Sequence, residues 1–153
     1  MKTFVRLCAL LLFACPTGEA RALCNVTATS VNFGAYDVFV AAPLDSTGSV
    51  TVSCTYFLPR NVTVSIGASA TSGGFNPRRM RPPSGSDRLD YNLFTTSSRS
   101  TIWGDGTAGT STVLLSNVRR NQPRVTTIYG RIPAGQDIQV GSFTDTVTVT
   151  ILY

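Results

Sequence analysis

The stretch "GSFTDTVTVTILY", Gly141 to Tyr153, has two distinct faces. Phe143, Val147, Val149, Ile151 and Tyr153 fall on one face, and Thr144, Thr146, Thr148 and Thr150 on the other. A period of two with apolar residues on one side reads as a strand with one buried face. From Thr146 onward the run has no charge, proline or glycine, and Asp145 is the only charge in the stretch. Sheet edges of this composition are usually blunted by lysine, proline or a bulge, because a bare one recruits foreign strands. This one carries no such protection and no further strand follows it. The segment therefore predicts an edge whose partner comes from another polypeptide.

The same alternation recurs upstream. "VNFG" from Val31, "GSVTVSC" from Gly48, "NVTVSIG" from Asn61, "LDYNLF" from Leu89, "STVLL" from Ser111 and "RVTTIYGRI" from Arg124 all read as strands rich in Val, Thr, Ile, Tyr and Phe. Turn signals separate them: Pro43 to Gly48, Ser72-Gly73-Gly74, Pro82 to Gly85, Gly104-Asp105-Gly106 and Pro133-Ala134-Gly135. About seven short strands at this spacing predict an all-β sandwich.

The beginning of the chain reads differently. Lys2 and Arg6 precede an apolar run from Leu7 to Ala14, and Ala20-Arg21-Ala22 supplies small residues for cleavage. That is the layout of a secretory signal peptide over residues 1–22, which leaves residues 23–153 as one domain. The apolar run is too short to span a bilayer. A second reading of "LFAC" places a lipid on Cys15. Export sets an oxidising context, and Cys24 and Cys54 are the pair that survives processing, so the sequence predicts one disulfide between them. Two buried free thiols are the alternative. A metal site is not expected, since the chain has no histidine and no closely spaced cysteines.

Of thirteen basic and eight acidic residues, Lys2, Arg6, Arg21 and Glu19 belong to the leader, so the domain carries ten arginines and seven aspartates. This modest excess, with no nucleic-acid-binding motif, does not point to nucleic acid. Nor does the domain look like an enzyme: without histidine or lysine, no base is at hand to activate its many serines. Asp87 and Asp90 flank a strand start and read as turn residues rather than an acid–base pair. No cofactor and no small-molecule substrate is expected. "GDGTAGT", Gly104 to Thr110, lacks the lysine of a phosphate loop and the acids of a calcium loop, and reads as a tight turn. "NPRRMRPP", Asn76 to Pro83, reads as a solvated loop rather than an anion site. Asn25-Val26-Thr27 and Asn61-Val62-Thr63 match the glycosylation pattern, which matters only in a eukaryotic secretory route.

"LDYNLFTTSSRSTIWGDGT" (Leu89 to Thr107), "YGRIPAGQDIQVGSFTDTVTVTILY" (Tyr129 to Tyr153), "VNFGAYD" (Val31 to Asp37) and the Cys24/Cys54 pair resemble the spore coat protein U domain family, which includes pilin subunits of the archaic chaperone–usher pathway. The resemblance covers nearly all of residues 23–153. It implies an immunoglobulin-like sandwich lacking its final strand. A periplasmic chaperone fills the gap first, and a neighbouring pilin subunit does so after passage through an outer-membrane usher, a form of strand addition. The edge that accepts the strand is expected at Phe143, Val147, Val149, Ile151 and Tyr153. Localisation follows: export through the periplasm to a cell-surface pilus, with roles in adhesion and biofilm. The alternative is a secreted coat or matrix protein of the same fold that does not polymerise.

Two features depart from a shaft subunit. Cleavage after Ala22 leaves only Leu23 before Cys24, too little to donate a strand, which suggests a tip position; a start codon placed too late is the alternative. In addition, two expected turns are apolar, "YDVFVAAP" at Tyr36 to Pro43 and "TYFLP" at Thr55 to Pro59. Val38, Phe39, Tyr56, Phe57 and Leu58 are candidates for one adhesive patch, provided the two loops lie at the same end of the sandwich.

Overall fold

The structure, a computed structural model, describes residues 23–153. The expected signal peptide and the possible lipidation at Cys15 lie outside the described residues. Eight strands are present: β1 (Cys24–Thr29), β2 (Leu44–Cys54), β3 (Arg60–Ile66), β4 (Arg78–Met80), β5 (Leu89–Phe94), β6 (Val113–Val118), β7 (Arg124–Ile132) and β8 (Val149–Leu152). They form a five-stranded sheet in the order β1-β2-β7-β5-β4 and a three-stranded sheet in the order β6-β3-β8. Every pairing is antiparallel.

β-Branched residues dominate the inner faces, where their restricted rotamers suit a pleated surface. In β3, Val62, Val64 and Ile66 are completely buried, while Thr63 and Ser65 between them are only half-buried. Val50 and Val52 of β2 and Ile128 and Ile132 of β7 meet them from the other sheet. Each such side chain contributes about 1.5–3 kcal/mol when withdrawn from water. Trp103 is fully buried, and its indole N–H donates to the Val64 carbonyl at 3.1 Å. Cys24 and Cys54 face each other in the β1–β2 register and form the expected disulfide.

Three expectations change. Val31 to Gly34 is not a strand. The segment leaves β1 and packs on the inner face of the five-stranded sheet, where Gly130 makes room: a Cβ there would come within 2.6 Å of Val31 and 2.7 Å of Phe33. Cys24–Thr29, not anticipated as a strand, pairs with β2 as an edge. The arginine-rich loop is the third. Arg78–Met80 forms β4, and Arg78 is completely buried. Its guanidinium donates to the carbonyls of Gly67 (2.9 Å), Trp103 (2.8 Å) and Ile66 (3.3 Å) and to Asn92 Oδ1 (2.9 Å). Burial lowers its pKa, opposed by Tyr91 and Asp145. A planar fork of five donors suits this task, because acceptors from β3, from the Trp103 segment and from the Asn92 side chain of β5 converge on one point. By contrast, Asp105 does close a tight turn, accepting from the Thr107 N–H at 2.9 Å and the Thr107 hydroxyl at 2.6 Å.

Candidate functional site

The terminal segment joins both sheets at their rim. Thr144 exchanges two backbone hydrogen bonds with Arg81, just beyond β4, each 2.9 Å. The chain then moves onto β3: Ala70 N–H donates to Thr146 O (3.1 Å), Gly67 N–H to Thr148 O (2.8 Å), and Thr150 lies opposite Ser65. The even-numbered threonines thus spend their backbone groups on this sandwich. The backbone groups of a strand residue point to one side of it, so the odd-numbered residues aim theirs the other way. Asp145 and Val147 make no backbone hydrogen bond among the described residues. Beyond β8 the three-stranded sheet has no further strand among them.

Beside this edge the sandwich is open. A groove of about 980 Å³ runs between the terminal segment and the stretch from Ala28 to Phe39. Ile66 of β3, Leu89, Tyr91 and Leu93 of β5, Ile128 and Ile132 of β7, and Met80 of β4 form its floor. Phe143, Val147 and Val149 form one wall, and Val31, Phe33 and Tyr36 stand in the other. The Phe33 and Tyr91 rings meet edge to face at 6.1 Å. The only carboxylate lining the groove from the terminal strand is Asp145. It is held at both oxygens: the Tyr91 hydroxyl donates to Oδ2 at 2.8 Å, and the Thr71 N–H and hydroxyl donate to Oδ1 at 3.2 Å each. Burial pushes the Tyr91 hydroxyl pKa far up, with the Asp145 contact adding to the shift, so it remains a donor at any physiological pH. Asp145 thereby pins the start of the terminal segment to β5, while the floor of the groove is apolar apart from the Tyr91 hydroxyl.

The five residues expected at the accepting edge divide. Phe143, Val147 and Val149 line the groove. Ile151 is half-buried opposite Val64 and does not reach it. Tyr153 turns away; it is 47% exposed and packs edge to face on Tyr56 at 6.1 Å. Missed from the sequence were the whole floor of the groove and the wall residues Val31 and Phe33. The alternation of Val31 and Phe33 was visible, but it belongs to an unpaired segment inside the sandwich rather than to a strand.

The two apolar loops do not form one patch. Tyr36–Pro43 precedes β2 and Thr55–Pro59 follows it, so eleven residues of strand, about 35 Å at ~3.3 Å each, separate them. Phe39, 93% exposed, and Val38 stand at the mouth of the groove. Phe57 and Leu58 are 78% and 73% exposed at the other end, where Tyr56 is half-buried. Asp87 and Asp90 hold structure: Asp87 Oδ2 accepts from Gln139 N–H at 2.8 Å, and Asp90 pairs with Arg79 at 2.9 Å. Asp90 sits within β5 rather than in a turn.

Fold and groove together define an antiparallel β-sandwich with one disulfide and one strand edge left open beside an apolar furrow. The chain belongs to the Spore Coat Protein U domain family, whose model matches residues 15–150. It is 33% identical over 132 residues to Protein U of Myxococcus xanthus, covering 81% of this chain and 72% of that protein. Its fold is also similar to a chain in the crystal structure of the CsuC–CsuE chaperone–tip adhesion subunit pre-assembly complex from archaic chaperone-usher Csu pili of Acinetobacter baumannii. That match has a TM-score of 0.57 at 24% identity and spans 86% of this chain but 40% of the other.

Proposed function

We propose that this protein is a structural subunit of a surface pilus, and that the groove beside Phe143, Val147 and Val149 accepts a β-strand from a periplasmic chaperone and then from a neighbouring subunit. The observation that carries the reading is the coincidence of two deficits at one place. Asp145 and Val147 have unpaired backbone groups, and the furrow next to them is apolar and unfilled. An inserted strand supplies both remedies at once, main-chain partners for the edge and alternate side chains for the furrow. Export through the periplasm and delivery by an outer-membrane usher belong to the same reading, and no catalytic step is assigned. The fold shared with a chain of the Csu pre-assembly complex supports it.

Expression separates this from a coat protein that does not polymerise, the reading to which the family's description, Spore Coat Protein U domain, lends itself. Produced alone, residues 23–153 should aggregate or be degraded; with their chaperone they should form a soluble one-to-one complex. Val147→Asp places an uncompensated charge in the furrow and should lower complex yield about tenfold or more. A stable monomer purified without any partner, its behaviour unchanged by Val147→Asp, overturns the proposal.

A further inference from the structure

We propose that the end of the sandwich carrying the disulfide docks on an anionic lipid surface, through Arg60, Arg119, Arg120 and Arg124 around the protruding Phe57 and Leu58. This site is separate from the groove and does not depend on how the groove is used.

Charge is segregated along the long axis of the molecule. No acidic residue occurs between Asp45 and Asp87 or between Asp105 and Asp137. Those two stretches supply β3 and the β6–β7 turn, which meet at the end where β2 finishes. Arg60 opens β3 opposite Val118, Arg119 and Arg120 lie in the turn, and Arg124 opens β7 opposite Val52. The aspartates lie elsewhere. Asp45 is at the far end of β2, paired with Arg131 at 2.7 Å. Asp90 and Asp87 lie where β5 begins, and Asp137 adjoins Gln136, whose side chain bonds the Asp90 N–H. Asp105 follows Gly104, which bonds Ile66 at the far end of β3. With ten arginines and seven aspartates in the domain, four arginines at this end leave six facing seven aspartates over the remainder. Counted by side chains, the positive excess of the domain therefore sits at one end, which it shares with the main-chain carboxylate of Tyr153, packed on Tyr56.

These arginines are presented rather than neutralised. The Arg120 guanidinium lies over the Phe57 ring at 5.0 Å, and that of Arg60 over the Tyr56 ring at 5.2 Å. Stacking of this kind orients the fork while leaving its N–H groups open. Among the described residues the side chains of Arg60, Arg120 and Arg124 make no hydrogen bond or ion pair, and Arg119 reaches only the Gln122 side chain at 2.7 Å. The Arg120 N–H also donates to the Tyr56 carbonyl at 2.6 Å, which locks the turn to the apolar loop.

The combination selects the partner. A polysaccharide or nucleic acid would satisfy the arginines and leave Leu58 in water. An uncharged apolar surface would cover Phe57 and Leu58 but strip water from four cations. Anionic head groups over hydrocarbon meet both demands: the phosphates pair with the guanidinium forks, and the two apolar tips enter the acyl boundary.

Vesicle co-sedimentation tests this, using residues 23–153 with the groove filled by a synthetic strand peptide, or the monomer itself if it proves stable alone. The protein should bind phosphatidylcholine vesicles that contain phosphatidylglycerol, ignore phosphatidylcholine alone, and be released by salt. Arg60→Gln with Arg120→Gln should weaken binding about 30-fold, and Phe57→Ser with Leu58→Ser about tenfold. Arg88→Gln, at the other end, should change nothing. Circular dichroism checks each variant's fold, and Arg120→Gln alone, expected to lose about fivefold, serves if a double variant unfolds. Equal binding to neutral vesicles, no binding to anionic ones, or retention on an acidic polysaccharide or DNA column with vesicles ignored overturns the proposal.

Discussion

At the scale of single residues, Arg78 carries more of the architecture than any other polar group. It is a buried cation with no carboxylate in its shell, answered by three carbonyls and one side-chain amide oxygen. Removing it strands acceptors from β3, β5 and the Trp103 segment, at about 1–3 kcal/mol for each that water fails to reach. Arg78→Ala should therefore cost about 3–5 kcal/mol, cavity included, in denaturation of the groove-filled protein. Arg78→Lys should recover only part of this, because an ammonium lacks the flat fork. Nothing local in the sequence announces the role. Three arginines among prolines look solvated, and the acceptors are main-chain atoms 11, 12 and 25 residues away, which no motif encodes. One weak signal existed: Arg78 and Met80 share a parity opposite to Arg79, so a strand there buries both.

At the scale of elements, the alternation of the terminal segment was legible because its inward residues, Asp145 apart, are apolar and its outward ones from Thr144 to Thr150 are threonines. Burial follows that pattern from Phe143 to Ile151, although regular pairing is confined to Val149–Leu152. The stretch Val31–Gly34 alternates just as well and pairs with nothing; two-residue periodicity reports which side is buried, not where the hydrogen bonds go. β1 was less legible, since its Asn, Thr and Ala residues give a weak apolar pattern at a sheet edge. What fastens it is the disulfide, which closes a sequence separation of 30. In the chain-entropy account that loop contributes about 3–4 kcal/mol. Cys24→Ser with Cys54→Ser should lose this amount, read as a lowered denaturation midpoint. Amide exchange should rise first in β1, whose neighbour on one side only is β2.

At the scale of the whole molecule, the proposed function makes stability a property of the pair rather than of the chain. A strand peptide that binds only the folded form should raise the melting temperature with its concentration, by about 2.7 kcal/mol at a hundred times its dissociation constant. A peptide with the same composition but shuffled alternation should not. The alternation foretold a terminal strand with one apolar face but not the furrow's shape, because the floor is assembled from β3, β4, β5 and β7 and one wall from a segment packed on Gly130. It also misplaced the apolar loops: the length of β2 decides that they stand at opposite ends, and only the pairing register shows β2 to be unbroken from Leu44 to Cys54.

Ser65 and Thr150 meet across β3 and β8 although 85 residues separate them along the chain. Contacts of such long range are slow to form, because a large loop must close before any bond rewards it. β3 and β6 close a shorter loop, 51 residues between Thr63 and Leu114, so a half-built layer with a bare flank can precede its outermost member. A helper that grips the incoming segment would then do more than fill a gap: it would shorten the interval in which that flank is open to the wrong neighbour, and so govern the timing of maturation as well as its outcome.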